Sequence, residues 1–134
     1  MALAGTGFWP ATATATPEEA KTLIKKIAGG AKLDRGKVKI KLPAVADNGA
    51  RVSIMVTVDS PMTANDYVKA IHIISDGNPY PETVSFTLSP GVGKAEVAFY
   101  MRMAKTQKLY AVAEMSDGSI QMASGQISVT IGGC

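Results

Sequence analysis

The chain has 134 residues, of which 46% are hydrophobic and 19% are charged, a composition typical of one folded domain and not of a disordered chain. No apolar run approaches the roughly 20 residues of a membrane-spanning helix. The net charge of +3 is uneven, because residues 1–41 carry eight basic and three acidic side chains. No aromatic residue alternates with these lysines, so a solvated helix face and an edge strand are favoured over a nucleic-acid surface. A face that attracts anions is the alternative.

A single amphipathic helix is predicted over residues 17–28. Thr16 is a suitable N-cap, Pro17 takes the favoured first helical position, and Gly29 follows as a stop signal. Apolar side chains recur at helical spacing and need a surface to cover. These residues are Ala20, Leu23, Ile24, Ile27 and Ala28.

Beyond Gly36 the hydrophobic pattern changes from helical to twofold, which is typical of strands with one wet face. Turn signals separate the apolar segments at about the spacing of a sandwich, and no further helix is indicated. We therefore predict an all-β, immunoglobulin-like antiparallel β-sandwich of about seven strands with one N-terminal helix. The predicted strands lie within residues 37–42, 52–58, 67–75, 84–88, 95–103, 109–115 and 120–131.

Three parts are expected along the chain. Residues 1–36 form an N-terminal arm with the amphipathic helix, and residues 37–131 form the sandwich. Residues 132–134 form a flexible Gly-Gly-Cys arm, since glycine leaves the backbone free and chain ends fray.

The residues give little support for an active site inside the domain. The single histidine, His72, lies between Ile71 and Ile73 in an apolar strand, where a structural histidine is expected. One histidine in a strand and one cysteine in the tail provide no zinc or copper spacing, so no metal or cofactor is predicted. The acidic residues are scattered at predicted turns and indicate no catalytic pair.

The chemistry-bearing residue is the only cysteine, Cys134, which follows Gly132 and Gly133. A thiol on such an arm can reach into a pocket of another protein, but nothing near it in sequence activates it as a nucleophile. We therefore predict a carrier that transports a group covalently on Cys134. Two alternatives stay open: a β-sandwich protein-binding module with an incidental or engineered terminal cysteine, and an enzyme that uses Cys134 itself.

Several short sequence blocks resemble the SoxY family, the sulfur-carrier subunits of the bacterial thiosulfate-oxidising Sox system. The family pattern ends Gly-Gly-Cys-Gly-Gly, whereas this sequence ends at Cys134. The blocks that carry the resemblance are residues 41–43 (KLP), 46–49 (ADNG), 59–62 (DSPM), 66–68 (DYV), 78–79 (NP), 117–118 (DG) and 129–134 (VTIGGC).

The resemblance implies a carrier without an active site of its own. Cys134 would be joined oxidatively to thiosulfate by a c-type cytochrome, giving a cysteine S-thiosulfonate. A manganese-dependent sulfate thiohydrolase would then release sulfate and leave a persulfide, which a sulfane dehydrogenase oxidises further in some organisms. Gly132 and Gly133 correspond to the flexible part of the family's arm.

The resemblance also implies partners and a compartment. It implies a heterodimer with a SoxZ-like subunit, in the periplasm, after export with a signal that this sequence lacks. Nucleic-acid and membrane partners are not expected. Because its thiol is unpaired, the isolated protein is predicted to form disulfide-linked homodimers through Cys134 in air.

Overall fold

The computed structural model describes residues 16–77 and 82–131. Within these residues one α-helix, α1 (Pro17–Ala28), precedes nine β-strands, and no helix is long and apolar enough to cross a membrane. The strands are β1 (Leu33–Asp34), β2 (Val38–Lys41), β3 (Val45–Asn48), β4 (Val52–Val58), β5 (Val68–Ser75), β6 (Glu82–Thr87), β7 (Glu96–Met101), β8 (Gln107–Met115) and β9 (Ile120–Ile131).

Helix α1 begins and ends where the sequence predicts. The Thr16 side chain accepts a hydrogen bond from the backbone N–H of Glu19 at 3.2 Å, and Pro17 follows at the first helical position. Gly29 ends the helix in the left-handed conformation, with φ of 61°. Ala20 and Ile24 are buried, so the predicted apolar stripe does cover a surface.

The strands form two sheets, and the predicted β-sandwich is confirmed. One sheet has the strand order β2-β4-β7, and both of its pairings are antiparallel. The other sheet has the order β1-β9-β8-β5-β6, with β3 paired to the same strand β9. The exposed Lys39 and Lys41 lie on β2, an edge strand, as the charge pattern indicates.

The structure adds two short strands that the sequence analysis did not predict, and both pair with β9 in parallel. Leu33 of β1 lies opposite Ile120, and Val45 of β3 lies opposite Ser128. The sandwich therefore has nine strands instead of about seven, and its larger sheet is mixed instead of fully antiparallel. Since β1 falls within residues 1–36, the N-terminal part contributes to the sheet. The three-part division of the chain stays a prediction.

The apolar residues form two buried clusters. The main core lies between the sheets and includes Ile54, Ile71 and Leu109. A second cluster lies between α1 and the outer face of the larger sheet, where Ile24 packs with residues such as Val112. One face of that sheet is thus turned toward the other sheet and the opposite face toward the helix, which explains the nearly continuous burial along β8.

Candidate functional site

Strand β9 carries the chain to the predicted Gly-Gly-Cys arm. It ends at Ile131, one residue before Gly132, and its last residues pair in parallel with β3 up to the Asn48–Ile131 pair. The predicted site residues Gly132, Gly133 and Cys134 lie outside the described residues, so their role stays a prediction. What the structure defines is the arm root, by which we mean residues 128–131.

A side chain completes the pairing of the arm root, which extends past Gln107, the first residue of β8. The last pair between β8 and β9 joins Gln107 to Ile127. Beyond it, the Thr106 hydroxyl oxygen accepts a hydrogen bond from the N–H of Val129 at 2.8 Å. Ser128 donates its own N–H to Ala44 on the β3 side at 3.0 Å. The arm root is therefore bonded on both sides, and its direction is set by the sheet.

The turn after β3 connects the arm root to the three-stranded sheet. The Asn48 side-chain oxygen accepts a hydrogen bond from the N–H of Ala50 at 2.9 Å, which stabilises the predicted Asn-Gly turn. The carbonyl of the buried Gly49 accepts a hydrogen bond from the N–H of Met103 at 2.7 Å. Residues 48–51 and 100–106 thus meet beside the arm root.

A stacked pair of side chains projects from this region. The Arg51 guanidinium carbon lies 4.0 Å from the centre of the Tyr100 ring, and Tyr100 is 59% exposed. Arg102 and Lys105 are also exposed. We call these four residues the arm collar: Arg51, Tyr100, Arg102 and Lys105. No sequence motif indicates this collar, because the pairing of Ser53 with Tyr100 depends on the register between β4 and β7.

A cavity of about 440 Å³ opens beside the arm root, between the start of α1 and the segment before β8. Its lining includes Lys21, Lys105 and Thr106, together with Asp76 and Tyr110. Burial of the Tyr110 ring, with a smaller contribution from the Asp76 carboxylate, raises the pKa of the tyrosine hydroxyl above its usual range. The hydroxyl is therefore neutral at physiological pH.

His72 lies away from the arm root and takes part in a cross-strand polar network. Its Nδ1 is 2.8 Å from the Ser85 hydroxyl on β6, and its Nε2 contacts the Glu114 carboxylate on β8. Its neighbours Ile71 and Ile73 are fully buried in the main core. We interpret the network as a structural link across three strands, in line with the predicted structural histidine. The sequence contains no signal for its two partners.

The part of the chain that the structure describes contains no group of three or more His, Cys, Asp or Glu side chains that could hold a metal ion. The described residues provide the frame that precedes the predicted Gly-Gly-Cys arm in sequence.

The comparisons with known proteins extend over this frame and the arm. A family model described as "Sulfur oxidation protein SoxY" matches residues 24–134, which include the arm and its cysteine. The chain belongs to the SoxY family. Among solved structures, the sulfur carrier protein SoxY from Chlorobium limicola f thiosulfatophilum is 30% identical, with a TM-score of 0.71. The match covers 87% of this chain and 100% of that chain.

The fold of this SoxY family member also occurs in proteins of different chemistry. A superoxide reductase (neelaredoxin) from Ignicoccus hospitalis is 21% identical with a TM-score of 0.63, covering 87% of this chain and 94% of that chain. A putative superoxide reductase from Thermotoga maritima is 18% identical with a TM-score of 0.61, covering 74% and 93%. These two likenesses show the shared fold alone. No curated protein sequence matches the chain.

Proposed function

We propose that this SoxY family member is a covalent carrier of sulfur intermediates in thiosulfate oxidation. The observation that carries the proposal is the family match, which runs through the β-sandwich and includes Gly132, Gly133 and Cys134. The structure supports it, since β9 ends at Ile131 with its root bonded on both sides. A firm root followed by two glycines suits an arm that presents its cysteine to other proteins.

The chemistry requires one oxidation and one hydrolysis. In the first step the Cys134 thiolate and the outer sulfur of thiosulfate form an S–S bond, and the two electrons released pass to a partner c-type cytochrome. The product is a cysteine S-thiosulfonate. In the second step water attacks the terminal sulfonate sulfur, and the sulfur–sulfur bond to it breaks. Sulfate and a proton leave, and a persulfide stays on Cys134.

We further propose that other proteins supply the catalytic groups for these steps. They are the cytochrome, a sulfate thiohydrolase and, where it operates, a sulfane dehydrogenase. The carrier would pair with a SoxZ-like subunit in the periplasm. A carrier of this kind needs only an ordinary thiol when free. The partner enzyme that receives Cys134, here called a client enzyme, activates the thiol on docking.

Intact-mass spectrometry tests the proposal. The full chain is mixed with thiosulfate, the cognate c-type cytochrome and an electron acceptor. We expect a mass increase of one S₂O₃ group, removed by a thiol reductant and absent in Cys134→Ser. Addition of the thiohydrolase should reduce the increase to one sulfur atom.

The same experiment separates the alternatives. A binding module would gain no mass, and an enzyme acting through Cys134 would turn over thiosulfate without its partners. An adduct that persists in Cys134→Ser would show that another residue carries the sulfur.

A non-reducing gel tests the accessibility of the thiol. We expect the isolated protein to form a dimer in air that a reductant dissolves and that Cys134→Ser does not form. A chain that stays monomeric at high concentration would contradict an accessible Cys134.

A further inference from the structure

The length of the arm limits how far a client enzyme can stay from the sandwich. Three residue spacings separate Ile131, the last residue of β9, from Cys134. At roughly 3.3–3.6 Å per extended residue, the arm spans on the order of 10 Å. Any enzyme that takes Cys134 into a recessed active site must therefore bring the rim of that site against the residues around the arm root.

The residues around the arm root have the composition of a protein contact. Asn48 pairs with Ile131, and Arg51 follows only three residues later. Arg51 stacks on Tyr100 at 4.0 Å, which holds a long, flexible cation in one place before binding. Tyrosine and arginine, together with tryptophan, are enriched among the residues that dominate binding energy at interfaces. Tyr100 is 59% exposed, so its ring is available to a partner.

The arm collar carries basic side chains. Residues 48–51 and 100–106 contain three basic side chains, those of Arg51, Arg102 and Lys105, and no acidic one. Two acidic residues lie near this set: Asp47 adjoins residues 48–51 in sequence, and Asp76 lines the same cavity as Lys105. Lys21 and Lys108 line that cavity as well, so basic side chains still outnumber acidic ones around the root. A positive surface guides and orients a partner whose opposing surface is negative.

We propose that the arm collar is the docking surface for the enzymes that accept Cys134, and that these enzymes present an acidic rim around their entrance. This inference rests on the proposed carrier function and adds the surface that client enzymes recognise. The collar acts in docking, and the arm alone delivers the sulfur.

Steady-state kinetics with the full-length carrier as the substrate test the inference. The probe reaction is the oxidative loading of Cys134 by thiosulfate and the cognate c-type cytochrome. Arg51→Glu and Tyr100→Ala alter the collar, and Arg51→Gln removes the charge without reversing it. Lys37→Glu is the matched control. Lys37 is exposed and directly precedes β2, whose first residue Val38 pairs with Val58 at the opposite end of β4 from Arg51.

At low ionic strength we expect Arg51→Glu to raise the KM for the carrier about tenfold while the saturating rate stays unchanged. Arg51→Gln and Tyr100→Ala should raise KM by a smaller factor, and Lys37→Glu should change it less than about twofold. Added salt should reduce the difference in KM between Arg51→Glu and the unaltered protein, because salt screens the charges. Reaction of Cys134 with a small aromatic disulfide should proceed equally fast in every variant.

Equal KM values for Arg51→Glu and Lys37→Glu would overturn the collar while leaving the carrier function in place. Loss of assembly with the SoxZ-like subunit in Arg51→Glu would assign this surface to that subunit instead, and would also overturn the inference. If the unaltered protein gained no adduct, the result would contradict the proposed carrier function and, with it, the proposed role of the collar.

Discussion

The bond from Thr106 to the arm root leads to a prediction about how the arm is anchored. Beyond Ile127, strand β8 no longer flanks β9, and the Thr106 hydroxyl accepts the N–H of Val129 in place of a strand. Thr106→Ala removes this acceptor and leaves the β3 side intact. The end of β9 should then open more often, although the sandwich stays folded.

The magnitude follows from the environment of the bond. The Thr106–Val129 contact is solvent-exposed, so water replaces the lost acceptor and the net cost is about 1 kcal/mol. That free energy corresponds to roughly a fivefold increase in the population of opened ends. The Val129 amide loses its partner directly, and the Ser128 amide loses protection only when the pairing with Ala44 opens. Val129 should therefore respond more strongly than Ser128.

Native-state hydrogen exchange followed by NMR measures this effect. In Thr106→Ala we expect at least about fivefold faster exchange at Val129, and up to fivefold at Ser128. Thr106→Ser keeps the hydroxyl and should restore protection. Thr57→Ala, which removes an exposed hydroxyl bonded to Glu96, should leave both amides unchanged. Unaltered exchange at Val129 in Thr106→Ala would refute the idea that a side chain anchors the arm root.

Three further changes have predictable outcomes. Gly77→Ala places a new Cβ 2.7 Å from the Cβ of Gln107, and we expect thermal or chemical unfolding to show a loss of about 1–3 kcal/mol. Met103→Ala empties a fully buried core position, and denaturant titration should show a loss of about 2–5 kcal/mol. Hydrogen bonds from the Ser119 hydroxyl and N–H hold the pKa of Asp117 below its usual range. That stabilisation is present above the ordinary carboxyl pKa and is lost as pH falls through the folded value. Asp117→Asn should therefore be less stable than the unaltered protein at neutral pH, with the difference shrinking in acid.

The elements that the sequence predicts well are those with local signals. Helix α1 has a capping threonine, an N-terminal proline and a left-handed glycine, and all three lie where expected. The alternation in residues 52–58 predicts β4, in which every second side chain is buried. Local sequence contains the information for such elements, because propensity and periodicity act within a few residues.

The features that escaped prediction depend on contacts between distant segments. Strand β1 has only two residues, and the sequence of β3 (VADN) does not alternate between apolar and polar residues. Both strands form because the edge of β9 offers them partners. The Arg51–Tyr100 stack requires β4 and β7 to pair in one particular register. His72, Ser85 and Glu114 likewise meet only after three strands assemble. Such registers follow from the packing of the whole core.

A rigid root makes a short arm more effective as a carrier. If residues 128–131 opened, each would add about 3.3 Å to the reach of Cys134, and the thiol would sample a larger volume at a lower local concentration. Pairing on both sides of the root instead keeps the reach near 10 Å, so the cysteine stays close to whatever contacts the sandwich beside it. If the proposed carrier function and collar hold, recognition by the collar and delivery by the arm are coupled by distance alone, because an arm of about 10 Å keeps the thiol close to the surface beside its root. A longer or frayed arm would separate the two events and weaken the selection of clients by the surface.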